Sequence, residues 1–202
     1  MDDKRIIARR HFDIAANFFH LVELILSETI NRGNMQNYIE PPIHQVQQTY
    51  KQMTRWGDFR IIIPVLFNFF HGIELNLKGT NYLTDIPQSK KINHKLSDLL
   101  EKFKENHTEQ IVLIDIYNYY ISPNSSCSIL KNLYAYNNIP DSSDFYEIFR
   151  YPYTKNMNEA FDYKFIRNNG EKGIEFFKKI RTDITKIQKK TEMIALSFRF
   201  DT

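Results

Sequence analysis

The run RIIIPVLFNFF, residues 60–70, passes directly into HGIELNLKG, residues 71–79, and this junction constrains the chain more than any other stretch. A segment so apolar has to be covered by other parts of the protein, so the fold is built around it. The run is shorter than a membrane span needs and leads straight into polar residues, which argues for burial inside the protein. The spacing predicts a helix over residues 59–78, with Pro64 tolerable only in or near the first turn and Gly79 as its end. On that helix His71, Glu74 and Lys78 fall within roughly 60° of one another, with Asn68 on the flank of the same stripe. Such a stripe is either a solvated face or a polar seam turned toward a site. Glu74 and Lys78 also have the i,i+4 order that favours an ion pair on a helix surface.

The segments on either side read mostly as further helices. Phe12, Ala15, Phe19, Val22 and Leu26 recur at steps of three and four, which predicts a helix over residues 5–32 stopped by Gly33. Pro41 and Pro42 break the chain, and residues 43–56 suit a polar second helix ending at Gly57. After a loop with Pro87, Asn93 is placed to cap a helix whose apolar stripe is Leu96, Leu99, Leu100 and Phe103. EQIVLIDIYNYYI, residues 109–121, has the composition of a strand, but its length and helical neighbours favour a buried helix closed by Pro123. Residues 160–173 alternate apolar and polar side chains before a glycine-bearing turn, the pattern of an extended or hairpin excursion. Residues 174–196 form a long amphipathic helix. No internal repeat and no long linker divides the chain. The expected fold is all-α, one domain over residues 1–202, with room for a short β-hairpin before the last helix.

Composition removes several function classes. The 42% hydrophobic and 14% aromatic content supports a packed core rather than a disordered chain. A net charge of +3 permits nucleic-acid binding without arguing for it, since the basic runs at residues 4–10 and 178–190 are interleaved with apolar residues at helical spacing. Cys127 is the only cysteine, which excludes an intramolecular disulfide and a cysteine-rich zinc site. Neither a GxGxxG nor a GxxxxGK[ST] phosphate cradle is present, nor an HExxH zinc motif, nor a GxSxG nucleophile elbow. The histidines show no paired metal spacing, so no metal and no cofactor is expected. The absence of a signal-peptide pattern and the single thiol point to a soluble protein of the reducing cytoplasm, away from membranes.

Three local patterns carry chemistry. The first is the His71–Glu74–Lys78 stripe. The second is INHKLSDLLEKF, residues 92–103, where His94 behind the Asn93 cap would feel the positive end of a helix and tend toward the neutral imidazole. The third is FRYPYTK, residues 149–155, where Pro152 biases Tyr151 to an extended conformation. That turn either presents Arg150 and Tyr153 rigidly or caps an edge of the core.

In this order, FFHGIELNLKGTNYL, INHKLSDLLEKF and FRYPYTK, followed by a final amphipathic helix, resemble the HEPN superfamily of small helical bundles. The second motif is approximate, with Asn93 where glycine is common and Lys95 where aspartate is common. The resemblance covers residues 60–196, so residues 1–57 are placed as an N-terminal helical extension and 58–202 as the HEPN-like core. It implies a helical, commonly dimeric protein of bacterial antiviral defence, abortive infection or toxin–antitoxin systems. Many such proteins are metal-independent ribonucleases with an arginine and a histidine separated by four to six intervening residues. Here only Arg5 and His11 have that spacing, and they lie outside the matched region; the last helix has Arg181 but no histidine. Two readings follow from the resemblance. In one, a divergent ribonuclease assembles its site from His71, Glu74, His94 and Arg150, with Lys78, Tyr153 and Asn93 touching RNA or a partner. In the other, the chain is a non-catalytic binding or regulatory module for a protein partner or phage component. A third reading, from the helices alone, is a structural protein whose first and last helices form an oligomer interface.

Overall fold

Apolar residues at steps of three and four become buried stripes in a computed structural model of the chain, which describes residues 4–34, 51–52, 54–84, 94–122, 127–139, 148–153 and 159–198. The main elements are α1 (Lys4–Asn31), α2 (Asp58–Thr84), α3 (Leu96–Asn106), α4 (Ile111–Ile121), α5 (Ser128–Tyr136) and α6 (Gly170–Ser197). The fold is all-α. The expected second helix over residues 43–56 lies outside the described residues except at 51–52 and 54–56, and the breaks at Pro41, Pro42, Pro87 and Pro123 lie outside them as well.

Helix α2 is the axis of the bundle, packed against α1, α3 and α6. Ile62, Val65, Leu66, Phe69, Phe70, Ile73 and Leu77 are all buried along it. The helix is longer than the apolar run alone suggests. Its 27 residues are long and apolar enough to cross a membrane by length and composition, but 67% of its most apolar window is buried inside the protein. Its apolar surface is thus largely used by the bundle.

Two sequence expectations for α2 are corrected. Gly79 does not end the helix, which continues to Thr84. Glycine is required there because a Cβ would run into the Phe12 ring of α1, and at Gly72 it would come within 2.6 Å of Phe19 Cε1. The two bare positions let α1 lie directly on α2, so the segment read as an N-terminal extension is the principal packing partner of the central helix. Pro64 lies in the second turn rather than in or near the first. It has no N–H to offer the Arg60 carbonyl, and the Asn68 side-chain amide donates to the Pro64 carbonyl at 2.6 Å.

The start of α2 is tied to the end of α1 and to the start of α6 by one buried carboxylate. Asp58 is 1% exposed. It accepts from the Asn34 amide at 3.0 Å and from the backbone N–H groups of Asn168 and Asn169 at 2.8 Å each, while its own N–H donates to Asn34 Oδ1 at 2.7 Å. Asn34 and Asn168 both adopt positive φ, +48° and +58°, so the chain turns sharply where it meets this carboxylate. A second polar tie runs through the middle: Asn76 Oδ1 accepts from Tyr117 Oη at 2.8 Å and Thr191 Oγ1 at 3.1 Å, joining α2, α4 and α6.

The expected hairpin before the last helix is also corrected. Among the described residues there is no strand, only an isolated antiparallel bridge between Tyr153 and Ala160. The alternation has another cause. Phe161, Tyr163 and Phe165 pack half-buried against the core, and the Asn137 side chain, not a second strand, satisfies the Asp162 backbone on both sides, at 2.8 and 2.9 Å. The ambiguous segment at 109–121 is a helix, α4, burying Leu113, Ile116, Tyr117, Tyr120 and Ile121.

Candidate functional site

The polar stripe of α2 is covered. Glu74 is 2% exposed and Lys78 8%, so the reading as a solvated face does not hold. Among the described residues, Phe18 and His94 meet it. Phe18 of α1 meets the His71 ring edge-on at 4.5 Å, and His94 reaches in from the chain ahead of α3. Glu74 Oε1 accepts from Lys78 Nζ at 2.6 Å and from His94 Nδ1 at 2.8 Å, while Oε2 lies 3.3 Å from His71 Nδ1. Of the sequence-predicted residues, four therefore meet at one carboxylate.

The electrostatics follow from that crowding. Burial alone would raise the Glu74 carboxyl, but the hydrogen bonds from His71, Lys78 and His94, with the Lys78 charge, outweigh it and hold the group at about 2. Glu74 is then ionised, which fixes the proton on His94. A nitrogen facing a carboxylate oxygen at 2.8 Å must carry hydrogen, because two facing lone pairs repel. Lys78 Nζ, 3.2 Å from the same nitrogen, is in that state a close neighbour rather than a donor to it. The His94 side chain is 66% exposed. In the tautomer with hydrogen on Nδ1, Nε2 is the acceptor nitrogen, on the edge of the ring away from Glu74. The arrangement is a carboxylate-held imidazole able to take up and return a proton, with a buried ammonium beside it.

One detail of the His94 expectation changes. It does not occupy the first turn of α3: that helix begins at Leu96 with Lys95 at the cap position and no side-chain cap bond. What orients His94 is Glu74, not a helix end. Asn93 lies outside the described residues.

The third motif docks nearby without joining the cluster. Phe149 is buried and stacks on Phe70 at 5.6 Å, the residue before His71. Tyr163 Oη donates to the carbonyls of Ile148 and Tyr151 at 2.7 and 3.2 Å, which fixes the turn. Arg150 is exposed, its guanidinium 5.5 Å from the Tyr151 ring centre, and Tyr153 is 47% exposed. Arg150 is not among the groups that donate to Glu74. The turn therefore both caps a core edge and presents these two side chains. As for the remaining Arg–His spacing, His11 Nδ1 lies 2.8 Å from the Ile7 carbonyl of its own helix and the ring lies 5.1 Å from Tyr82.

Sequence reasoning missed a second buried polar group. Asp183 is 2% exposed and accepts from Tyr120 Oη at 2.8 Å and Lys179 Nζ at 2.7 Å. Burial, reinforced by the Asp183 charge, pushes the Tyr120 hydroxyl far up, so it stays a donor. Cys127 is pushed up by burial too, which leaves it a poor nucleophile. The available signal was a lone carboxylate on the apolar stripe Ile180–Ile184–Ile187. No group of three or more His, Cys, Asp or Glu side chains among the described residues is arranged to hold a metal ion.

Comparison with protein families, with characterised proteins and with solved structures finds no match to this chain.

Proposed function

We propose that this chain is an HEPN-like, RNA-directed effector of bacterial antiviral defence or growth arrest, acting in the cytoplasm as a metal-independent ribonuclease. The observation that carries the reading is the Glu74–His94 pair: a buried, ionised carboxylate holding Nδ1 of a largely exposed imidazole. The order of the three motifs supports the same reading. In the proposed reaction His94 Nε2 takes the proton of a ribose 2′-OH, whose oxygen attacks the adjacent phosphorus. The P–O5′ bond breaks, and the imidazolium returns its proton to the departing 5′ oxygen, leaving a 2′,3′-cyclic phosphate. Glu74 keeps the ring in the required tautomer and stabilises the imidazolium, as a positioning residue. Lys78 and Arg150 supply positive charge near the phosphate.

A second reading is favoured by one feature. Among the described residues the donors to Glu74 are His71, Lys78 and His94, and no arginine is one of them. A non-catalytic module that recognises a protein partner or phage component would use the same exposed His94 and Arg150–Tyr153 surfaces without chemistry.

Expression of the wild type and His94→Ala in a bacterial host separates the two. The ribonuclease reading expects growth arrest with new RNA 5′ ends, both lost in the variant. RNA left intact in both strains, whether or not growth arrests, refutes it and leaves the binding module.

A further inference from the structure

Where α1, α2 and α6 meet, the bundle leaves a cavity of about 1020 Å³, comparable in size with small-molecule sites. Ala8 and Ala16 of α1 and Ala195 of α6 put short side chains on its walls, and Phe12, Phe19 and Leu83 supply further apolar surface. Its charged groups are exposed and balance one another, Arg5 and Arg9 against Asp13 and Glu192. Asn76 and Thr191 also line it, and both are buried. The Asn76 amide is only half used. Its Oδ1 accepts from Tyr117 and Thr191, and this fixes which end of the amide is which. The reverse orientation would leave the hydroxyl hydrogen of Tyr117, a side chain 0% exposed, without an acceptor. Nδ2 therefore carries two hydrogens, and among the described residues it donates to no acceptor. A donor on a residue only 3% exposed is costly to leave unpaired. Because Asn76 lines the cavity, the missing acceptor has to come from what occupies it.

We infer that this cavity binds a small uncharged molecule with an apolar body and a carbonyl oxygen, and that Asn76 Nδ2 donates to that oxygen. The apolar body matches the alanine, phenylalanine and leucine walls. A charged ligand would give up its hydration without an unbalanced counter-charge to meet it. A carbonyl suits the position better than a hydroxyl, because it accepts without bringing a hydrogen that needs an acceptor of its own. Tyr117 and Thr191, by holding Oδ1, aim the donor and leave it free to read the ligand. The site is separate from the Glu74 cluster. Two positions along α2 turn a side chain by roughly 200°, which puts Asn76 on the far side of the helix from Glu74. Binding here does not depend on whether that cluster is catalytic.

Prodan, an uncharged naphthalene carrying one ketone, is a suitable probe because its fluorescence moves to shorter wavelength when it leaves water. Titrated with the full chain, it is expected to show saturable binding at one site. Ala16→Trp/Ala195→Trp, at two partly exposed wall positions, fills the cavity and should abolish binding while leaving the helical circular-dichroism signal unchanged. The analogue with a methylene in place of the ketone, measured by competition against prodan, should bind the wild type about tenfold more weakly, the loss expected for leaving a buried donor unpaired. In folded Asn76→Leu the two compounds should bind alike. The comparison of ketone with methylene on the wild type decides the matter without any variant having to fold. Absence of saturable binding, binding that survives the double tryptophan substitution, equal affinity of the wild type for both compounds, or a ketone preference kept by folded Asn76→Leu overturns the proposal.

Discussion

At Glu74 two large effects oppose each other, and the sign of the outcome decides what the residue does. Desolvation favours the protonated form, while three nitrogen donors favour the carboxylate and win, moving the group from 4.5 to about 2. A group with a lowered folded value contributes stability that is fully present above its ordinary value and lost as pH falls through the folded one. The Glu74 contribution, about 3 kcal/mol from the size of that shift, should therefore disappear between pH 4.5 and about 2. Urea unfolding across this range should show that limb in the wild type and not in Glu74→Gln. At neutral pH the same substitution leaves the Lys78 ammonium buried without its counter-charge and should cost about 3–5 kcal/mol. The stripe itself was legible, because helical spacing says which residues share a face. Its burial was not, because spacing does not say what covers a face. Among the described residues the covers are Phe18 and His94, brought from other segments.

At the scale of the helices, the α1–α2 contact rests on two missing side chains. Replacing glycine by alanine inside an exposed helix normally stabilises it by about 1 kcal/mol. Gly72→Ala should do the reverse, because its Cβ meets the buried Phe19 ring at 2.6 Å; overpacking of this kind costs about 1–3 kcal/mol. A melting temperature below that of the wild type is the expected result. Gly79 illustrates why element ends were less legible than elements. A glycine that stops a helix and a glycine that admits a neighbouring ring are the same letter in the sequence, and only the position of Phe12 separates them. Likewise the alternation at residues 160–166 matched a hairpin because half-buried aromatic side chains in an irregular segment follow the same period.

For the whole molecule, the all-α class followed from the apolar spacing of the long helices, but the polar ties between distant segments did not. Asp58 joins the end of α1, the start of α2 and the start of α6. Losing it removes the carboxylate acceptor of the Asn168 and Asn169 backbone N–H groups and one of the two acceptors of the Asn34 amide, which also donates to the Gly170 carbonyl at 3.2 Å. Asp58→Ala should cost about 3 kcal/mol or more. Faster amide exchange at Asn168 and Asn169 would locate the loss. A carboxylate just after Gly57 reads in sequence as an ordinary helix start. Nothing local announces that its partners are 24, 110 and 111 residues away.

In the proposed function the Glu74 cluster holds His94 for proton transfer rather than simply bracing the bundle. The most direct measurement is cleavage of end-labelled RNA by purified wild type and His94→Ala, with urea unfolding curves recorded on the same preparations. Wild type alone should leave 2′,3′-cyclic phosphate ends, and the largely exposed His94 should contribute little to stability. RNA left intact by the wild type, or cut equally well by a folded His94→Ala, would contradict it.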